Sequence, residues 1–333
     1  MATASSINVL FRVAAGPQVG FGHLARSRSL ARALDVPRLV SVRGSLRTRA
    51  AAADLGWTIA EDTSDGHLNS LGLDLIVVDD PRQDEASFWV RKARRIGVPV
   101  ASVHDLGHAM VDSDLVIDGS ITPCASDLKS ASLRGPGFAI LDPAIARLRA
   151  ESRHPEFGRV LIALGGGSHV YPIASKLSRA LVSRLPALDI HVACGFAPPR
   201  NLPSLPRGSW ITAPDGLGAE LAAATVAVVA GGVTLYEACA LRVPVVALPV
   251  VSAQHAATRA FACRGAVIDC GWPLDDLTIE RAADAAASLF EHARLRQKLS
   301  AEAGRLVDGD GVFRVADRLR QLATRRGEAT HAA

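Results

Sequence analysis

The chain is 333 residues long, with hydrophobic residues at 49%, charged residues at 21% and a formal net charge of +4. That length suits two domains whose cores need neither disulfides nor metals, and that composition excludes wholesale disorder. With no block of like charge and aromatics at only 5%, nucleic-acid binding is disfavoured, and no apolar run approaches the roughly 20 residues that span a bilayer.

In chain order, short apolar runs at 7–13, 38–42, 73–78, 98–103 and 114–117 read as strands, with helical patterns at 23–34, 45–55 and 85–96 between them. Continuous β-branched runs suit strands covered on both faces, so the alternation predicts parallel α/β units. A Pro- and charge-containing stretch at 142–158 breaks the pattern and places a domain boundary. Strands resume at 159–164, 189–193, 209–212, 225–229, 243–248 and 266–269, with helices at 171–185, 217–224, 234–241 and 254–264. Three more helices, 279–290, 293–307 and 312–324, close the pattern. The expected organisation is a Rossmann-like domain over 1–145, a second over 146–325 and a frayed, disordered tail over 326–333. Two such domains facing each other hold a ligand at the carboxyl ends of their strands, so the loops after strands are the informative ones.

Five cysteines without a C-x-x-C pair predict neither a disulfide framework nor a zinc site, and they suit a reducing compartment. Residues 1–13 lack the basic flank and long apolar core of a signal peptide, so a cytoplasmic protein is expected. Only four of the 37 basic residues are lysines. The arginine excess permits an anionic ligand and equally suits a solvated surface.

Three loops carry the chemistry. The first, 14–22, runs from the first strand into a helix whose first turn holds His23, where a neutral imidazole could accept a proton or simply cap the helix. Its Gly20-x-Gly22-x-x-Ala25 spacing matches a dinucleotide fingerprint, but it starts six residues after the strand, and Arg43 rather than an acid ends the second strand. An NADP site using Arg43 stays open. The second loop, Gly165-Gly166-Gly167-Ser168, lies between a strand and a helix and suits either a diphosphate on backbone amides or a tight turn. The third is Gly231-Gly232-Val233-Thr234-Leu235-Tyr236-Glu237, where first-turn Glu237 could bind ribose hydroxyls or support the helix. Asp79 and Asp80 at one strand end could hold a cation or a sugar hydroxyl. His104 with Asp105 could form an orienting pair, and Gln254 with His255 is placed for sugar hydroxyls.

The segment from Phe11 to Arg26 resembles the opening of the UDP-sugar hydrolases of pseudaminic acid biosynthesis, which make sialic-acid-like sugars for cell-surface glycans. Val77-Val78-Asp79-Asp80, Val103-His104-Asp105-Leu106, Phe138 to Pro143, Leu164 to Ser168 and Ala230 to Glu237 match in the same order. The last block also resembles the carboxyl-terminal half of the glycosyltransferases that make lipid-linked peptidoglycan precursors. The resemblance covers most of the chain to about residue 270 and implies a glycosyltransferase-B type fold with UDP held mainly by the second domain. It implies His23 as general base for water at the anomeric carbon, and Glu237 on the ribose. Substrate contacts are expected from Gly20, Gly22, Arg26, Asp79, Asp80, Gly166, Gly167, Ser168, Gly231, Gly232, Thr234, Glu237 and Gln254. Ala14, Asp80-Pro81, Ala253 and His169 stand where the family has Asp, His-Tyr, Asn and Asp.

The leading expectation is thus hydrolysis of a UDP-sugar with no cofactor or metal, the glycine-loop amides stabilising the departing diphosphate. Two alternatives remain: an inverting glycosyltransferase with an acceptor hydroxyl in place of water, and a binding relative without catalysis.

Overall fold

The computed structural model describes residues 7–16, 19–105, 110–122, 131–151, 155–167, 169–195 and 201–331, with side chains as far as Thr324. They form two compact units, Met1–Pro143 with Asp310–Ala333, and Ala144–Gly309.

The first unit contains β1 (Val9–Ala14), α1 (Gly22–Leu34), β2 (Leu39–Arg43), α2 (Leu46–Asp54), β3 (Thr58–Ile59), α3 (Asp65–Ser70), β4 (Leu75–Asp79) and α4 (Gln83–Arg95). β5 (Val100–His104), β6 (Leu115–Asp118) and β7 (Ala131–Arg134) follow. All seven strands are parallel, in the order β3-β2-β1-β4-β5-β6-β7. Their two-residue period divides the core into two layers. Val9, Phe11, Val13, Leu75 and Val77 join one cluster with Leu24 and Leu30 of α1, whereas Leu10, Ile76 and Val78 join the other with Ala86, Trp89, Val90 and Ala93 of α4. Each fully buried Leu or Phe contributes about 2 kcal/mol. α4 forms because those four positions repeat at helical spacing, with Asp84 and Glu85 in the first turn and Lys92, Arg94 and Arg95 in the last complementing its dipole.

The second unit contains α5 (Pro143–Ala150), β8 (Glu156–Ala163), α6 (Val170–Arg184), β9 (Asp189–Ala193), β10 (Ser209–Ile211), α7 (Gly218–Ala223), β11 (Ala224–Val229) and α8 (Val233–Ala240). β12 (Val245–Ala247), α9 (Ser252–Cys263), β13 (Ile268–Asp269), α10 (Asp276–Glu291) and α11 (Ala293–Leu306) complete it. Its six parallel strands run β10-β9-β8-β11-β12-β13. Val160, Ile162, Val226, Val228 and Val246 face a cluster with α6 and α10, and the alternate residues Leu161, Ala227, Val229 and Val245 are just as buried on the other face.

Several elements depart from the sequence reading. The short edge strands β3 and β7 lack an apolar run. α5 starts at Pro143, a residue read as a break but well suited to a first helical turn. The last helix, α12 (Gly311–His331), belongs to the first unit, not to a second domain ending at 325. Val312, Val315, Ala316, Leu319 and Ala323 form one apolar stripe in the first unit's core, and Arg320 Nη2 donates to Ala33 O at 2.8 Å. Nothing stops the helix after Thr324, so it continues through most of the stretch expected to fray.

Cys194, Cys239, Cys263 and Cys270 are free thiols, and Cys124 lies outside the described residues. Burial pushes the Cys270 thiol up to about 12, which suits a small apolar core residue. Among the described residues no helix is long and apolar enough to cross a membrane, and no group of three or more His, Cys, Asp or Glu is arranged to hold a metal.

Candidate active site

The first sheet grows outward from β1 through β2 and β3, then restarts at β4 on the other side. β1 and β4 therefore flank the point where strand order reverses, beyond whose carboxyl ends doubly wound sheets bind ligands. After β1 the chain makes a small turn. Gly16 N–H donates to Gly20 O at 3.1 Å, and Gly20 N–H to Gly16 O at 2.6 Å, with Gly20 at φ +83° where a side chain is disfavoured. The Gly20 amide, expected to face substrate, is thus committed to the turn. Gly22 opens α1, and its N–H belongs to the first turn, which has no intrahelical acceptor.

The turn delivers His23 to the end of β4. Its Nδ1 lies 2.8 Å from Asp79 Oδ1. Asp79 is only 1% exposed, whereas His23 keeps 13% of its side chain open. Burial by itself would raise the Asp79 carboxyl. The Arg26 charge and the bonds from Arg26 and His23 outweigh it and hold Asp79 well below the usual carboxylate range. An ionised carboxylate only accepts, so the proton of a neutral His23 is assigned to Nδ1 and the lone pair to Nε2, the atom free to act as base.

Arg26, one helical turn on, was expected to bind substrate. Instead it is buried, and its Nε and Nη2 donate to Asp79 at 2.6 and 2.5 Å while Nη1 donates to Asp105 at 2.5 Å. Burial would lower the guanidinium, but Asp105 and Asp79 outweigh it and raise its pKa. Arg26 Nη2 also lies 2.9 Å from His23 Nδ1, so the two donors flank one shared acceptor, Asp79 Oδ1. Asp79 thus holds both His23 and Arg26. His104 and Asp105 form no orienting pair: His104 Nε2 meets Ser102 Oγ at 2.8 Å, burial lowers its pKa, and Asp105 serves Arg26. Asp80 accepts Arg43 Nε and Nη2, both at 2.6 Å, and the Arg82 amide at 3.0 Å. That commits Arg43 to Asp80 rather than to a nucleotide phosphate, and Asp80 to the fold rather than to a sugar.

In the second sheet the order reverses between β8 and β11. A glycine loop follows each, and Ala230 N–H donates to Ala163 O at 3.2 Å to tie the two strand ends together. After β8, Gly165 and Gly166 are exposed, and the imidazole of His169 lies beside Gly167. Ser168 lies outside the described residues. After β11, Gly231 and Gly232 lead into α8, which starts at Val233. Thr234 is its second residue, and Glu237 its fifth, at the start of the second turn rather than in the first. Both helices present amino ends, whose amides and dipoles favour anions.

The amino end of α9 closes over the second loop. A Cβ on Gly231 would lie 2.8 Å from both Gln254 Cβ and Thr258 Cγ2, so only glycine allows this approach. Gln254 Oε1 accepts the Val250 amide at 3.0 Å, and its Nε2 sits near Gly232. Gly231→Val is expected to overpack this contact, costing about 1–3 kcal/mol. An unchanged denaturant midpoint for the second unit would show that α9 yields without strain.

No protein-family model matches the sequence. The spore coat polysaccharide biosynthesis protein SpsG of Bacillus subtilis (strain 168) is 26% identical over 327 residues, covering 92% of this chain and 96% of SpsG. Among solved structures, Acinetobacter baumannii MurG matches with a TM-score of 0.63 at 15% identity, over 94% of this chain and 99% of MurG. The spinosyn rhamnosyltransferase SpnG, complexed with thymidine diphosphate, matches with a TM-score of 0.63 at 19% identity, over 95% of this chain and all of SpnG. The chain is built as two parallel-sheet α/β domains, the fold of glycosyltransferase-B proteins such as these.

Proposed function

We propose that the protein is a nucleotide-sugar glycosyltransferase acting in surface polysaccharide assembly. The observation that carries this reading is the content of the two switch points: a buried carboxylate beside a partly exposed histidine in the first unit, and paired glycine loops entering helices in the second. His23 Nε2 takes the proton from an acceptor hydroxyl as it attacks the anomeric carbon. The amides of 165–167 and 231–234 carry the departing diphosphate, Glu237 accepts from the ribose, and the uncommitted Nε2 of Gln254 donates to the sugar. SpsG's part in polysaccharide biosynthesis and the thymidine diphosphate held by SpnG support this substrate class.

Hydrolysis is the second reading, favoured by the likeness of residues 11–26 to UDP-sugar hydrolases. The test is nucleotide release from UDP- and dTDP-sugars with and without candidate acceptor glycans. Release that rises with acceptor and yields a glycosylated product supports transfer. Acceptor-independent release of free sugar supports hydrolysis, and absence of both binding and release would overturn both readings.

A further inference from the structure

One histidine beside the glycine loops has no part in the chemistry described so far. His169 joins the loop after β8 to α6, whose amino-terminal cap position it fills. Side chains at such a position often accept a bond from the first free amides of the helix. His169 makes no such bond. It is exposed, and its ring nitrogens have no hydrogen-bond or ion-pair partner among the described residues. The imidazole therefore neither caps α6 nor serves a neighbouring carboxylate.

Its place is nonetheless defined by the loop. A Cβ on Gly167 would lie 2.6 Å from Cε1 and 2.7 Å from Nδ1 of the ring, but 3.8 Å from Nε2. The Cε1–Nδ1 edge thus rests on the bare backbone of Gly167, with Nε2 farther off. Glycine at 167 is what admits the ring. The charge inventory of the loops gives this placement its weight. Segments 164–170 and 230–237 contain no lysine or arginine, so His169 is the one residue in them whose side chain can carry positive charge. Backbone amides and the dipole of α6 supply only partial charge. A nucleoside diphosphate gains a full negative charge as it leaves a sugar. An imidazole offers an N–H in either protonation state, and a carrier of positive charge when protonated. With both nitrogens unpartnered, the neutral ring can place its proton on Nε2.

We infer that His169 is a catalytic residue, donating Nε2–H to the phosphate oxygen that departs from the sugar. This role rests on the nucleotide-sugar reading. The anomeric C–O bond breaks with its electron pair on that oxygen, and His23 takes the acceptor's proton. His169 keeps its own proton, and its hydrogen bond strengthens as charge grows on the oxygen.

Calorimetry of UDP, dTDP and their monophosphates, with steady-state kinetics on UDP- and dTDP-sugars, tests the role. His169→Ala should weaken the diphosphate about tenfold and the monophosphate less than about twofold, because a charge-assisted bond to the terminal phosphate is lost. It should lower kcat by about 10–100-fold while KM moves less than about threefold, since the intact donor does not yet carry the charge. The unfolding midpoint should stay in place, because the ring bonds to nothing in the fold. His169→Gln keeps an N–H and should recover at least about threefold in kcat. Equal weakening of monophosphate and diphosphate, or no recovery in His169→Gln, would assign the residue to shaping the loop and overturn the inference. Unchanged diphosphate affinity and kcat in His169→Ala overturns it as well, with the donor reading left standing. Failure of the native protein to bind either diphosphate overturns both.

Discussion

His23→Ala is expected to lower turnover of the proposed nucleotide-sugar substrate by about 10²–10⁴-fold, the range by which a positioned base accelerates proton transfer. The case rests on which nitrogen is available. Asp79 holds Nδ1, which leaves Nε2 as the ring nitrogen to accept a proton, and the His23 side chain is 13% exposed. The same substitution should leave nucleoside diphosphate binding, measured by calorimetry, within about threefold, because the proposed diphosphate contacts are backbone amides in the second unit. The unfolding midpoint should move little, since the buried Arg26–Asp79 pair survives the loss of the imidazole. Full activity in His23→Ala would remove the base assignment and leave the binding assignment intact. Loss of nucleotide binding together with activity would point instead to a structural role for His23.

The sheets were legible in the sequence because most of their strands are covered on both faces and show as unbroken β-branched runs. β3, of two residues, and β7, whose residues are exposed or half-buried, carry no such signal. The stripe of α12 announces a helix but not which core it covers, because every sheet face in the chain offers the same aliphatic surface. The glycine loops stood out since each links a strand-like run to a helical pattern, and His23 because it opens the helical pattern after the first of them. What the sequence hid was partnership. His23 and Asp79 are 56 residues apart, and Arg26 and Asp105 are 79 apart. Their meeting depends on β4 lying beside β1 while β2, earlier in the chain, lies on the far side. Once that order is known, Val13 pairs with Asp79 across the sheet, and the acid at the strand end acquires its role. Arg26 then reads as the support of a carboxylate rather than a hand for an anion.

Asp79→Asn is expected to damage stability and chemistry by separate routes. Breaking a buried ion pair by neutralising one partner costs about 3–5 kcal/mol, and here Arg26 would keep only Asp105. Asp105→Asn should cost far less, about 1 kcal/mol, since Asp105 is 29% exposed and water replaces part of what is lost. The chemical lesion follows from the amide. Asn can donate to Nδ1, which favours the tautomer with the proton on Nε2 and takes away the lone pair that a base needs. Turnover should therefore fall at least 10²-fold even at temperatures where the variant is fully folded, whereas Asp105→Asn should retain most of it. The pH dependence separates the two routes. The Asp79 carboxyl titrates below its ordinary 3.8 in the folded chain, so its stabilisation is fully present above that value and is lost as pH falls through the range beneath it. Unfolding free energy of the native first unit, followed by hydrogen exchange, should thus decline with acid below about pH 4. Asp79→Asn should start lower and decline less steeply. Parallel curves for the two proteins would show that folding does not lower the pKa of Asp79, and the stability assigned to its ion pair with Arg26 would then have to be withdrawn.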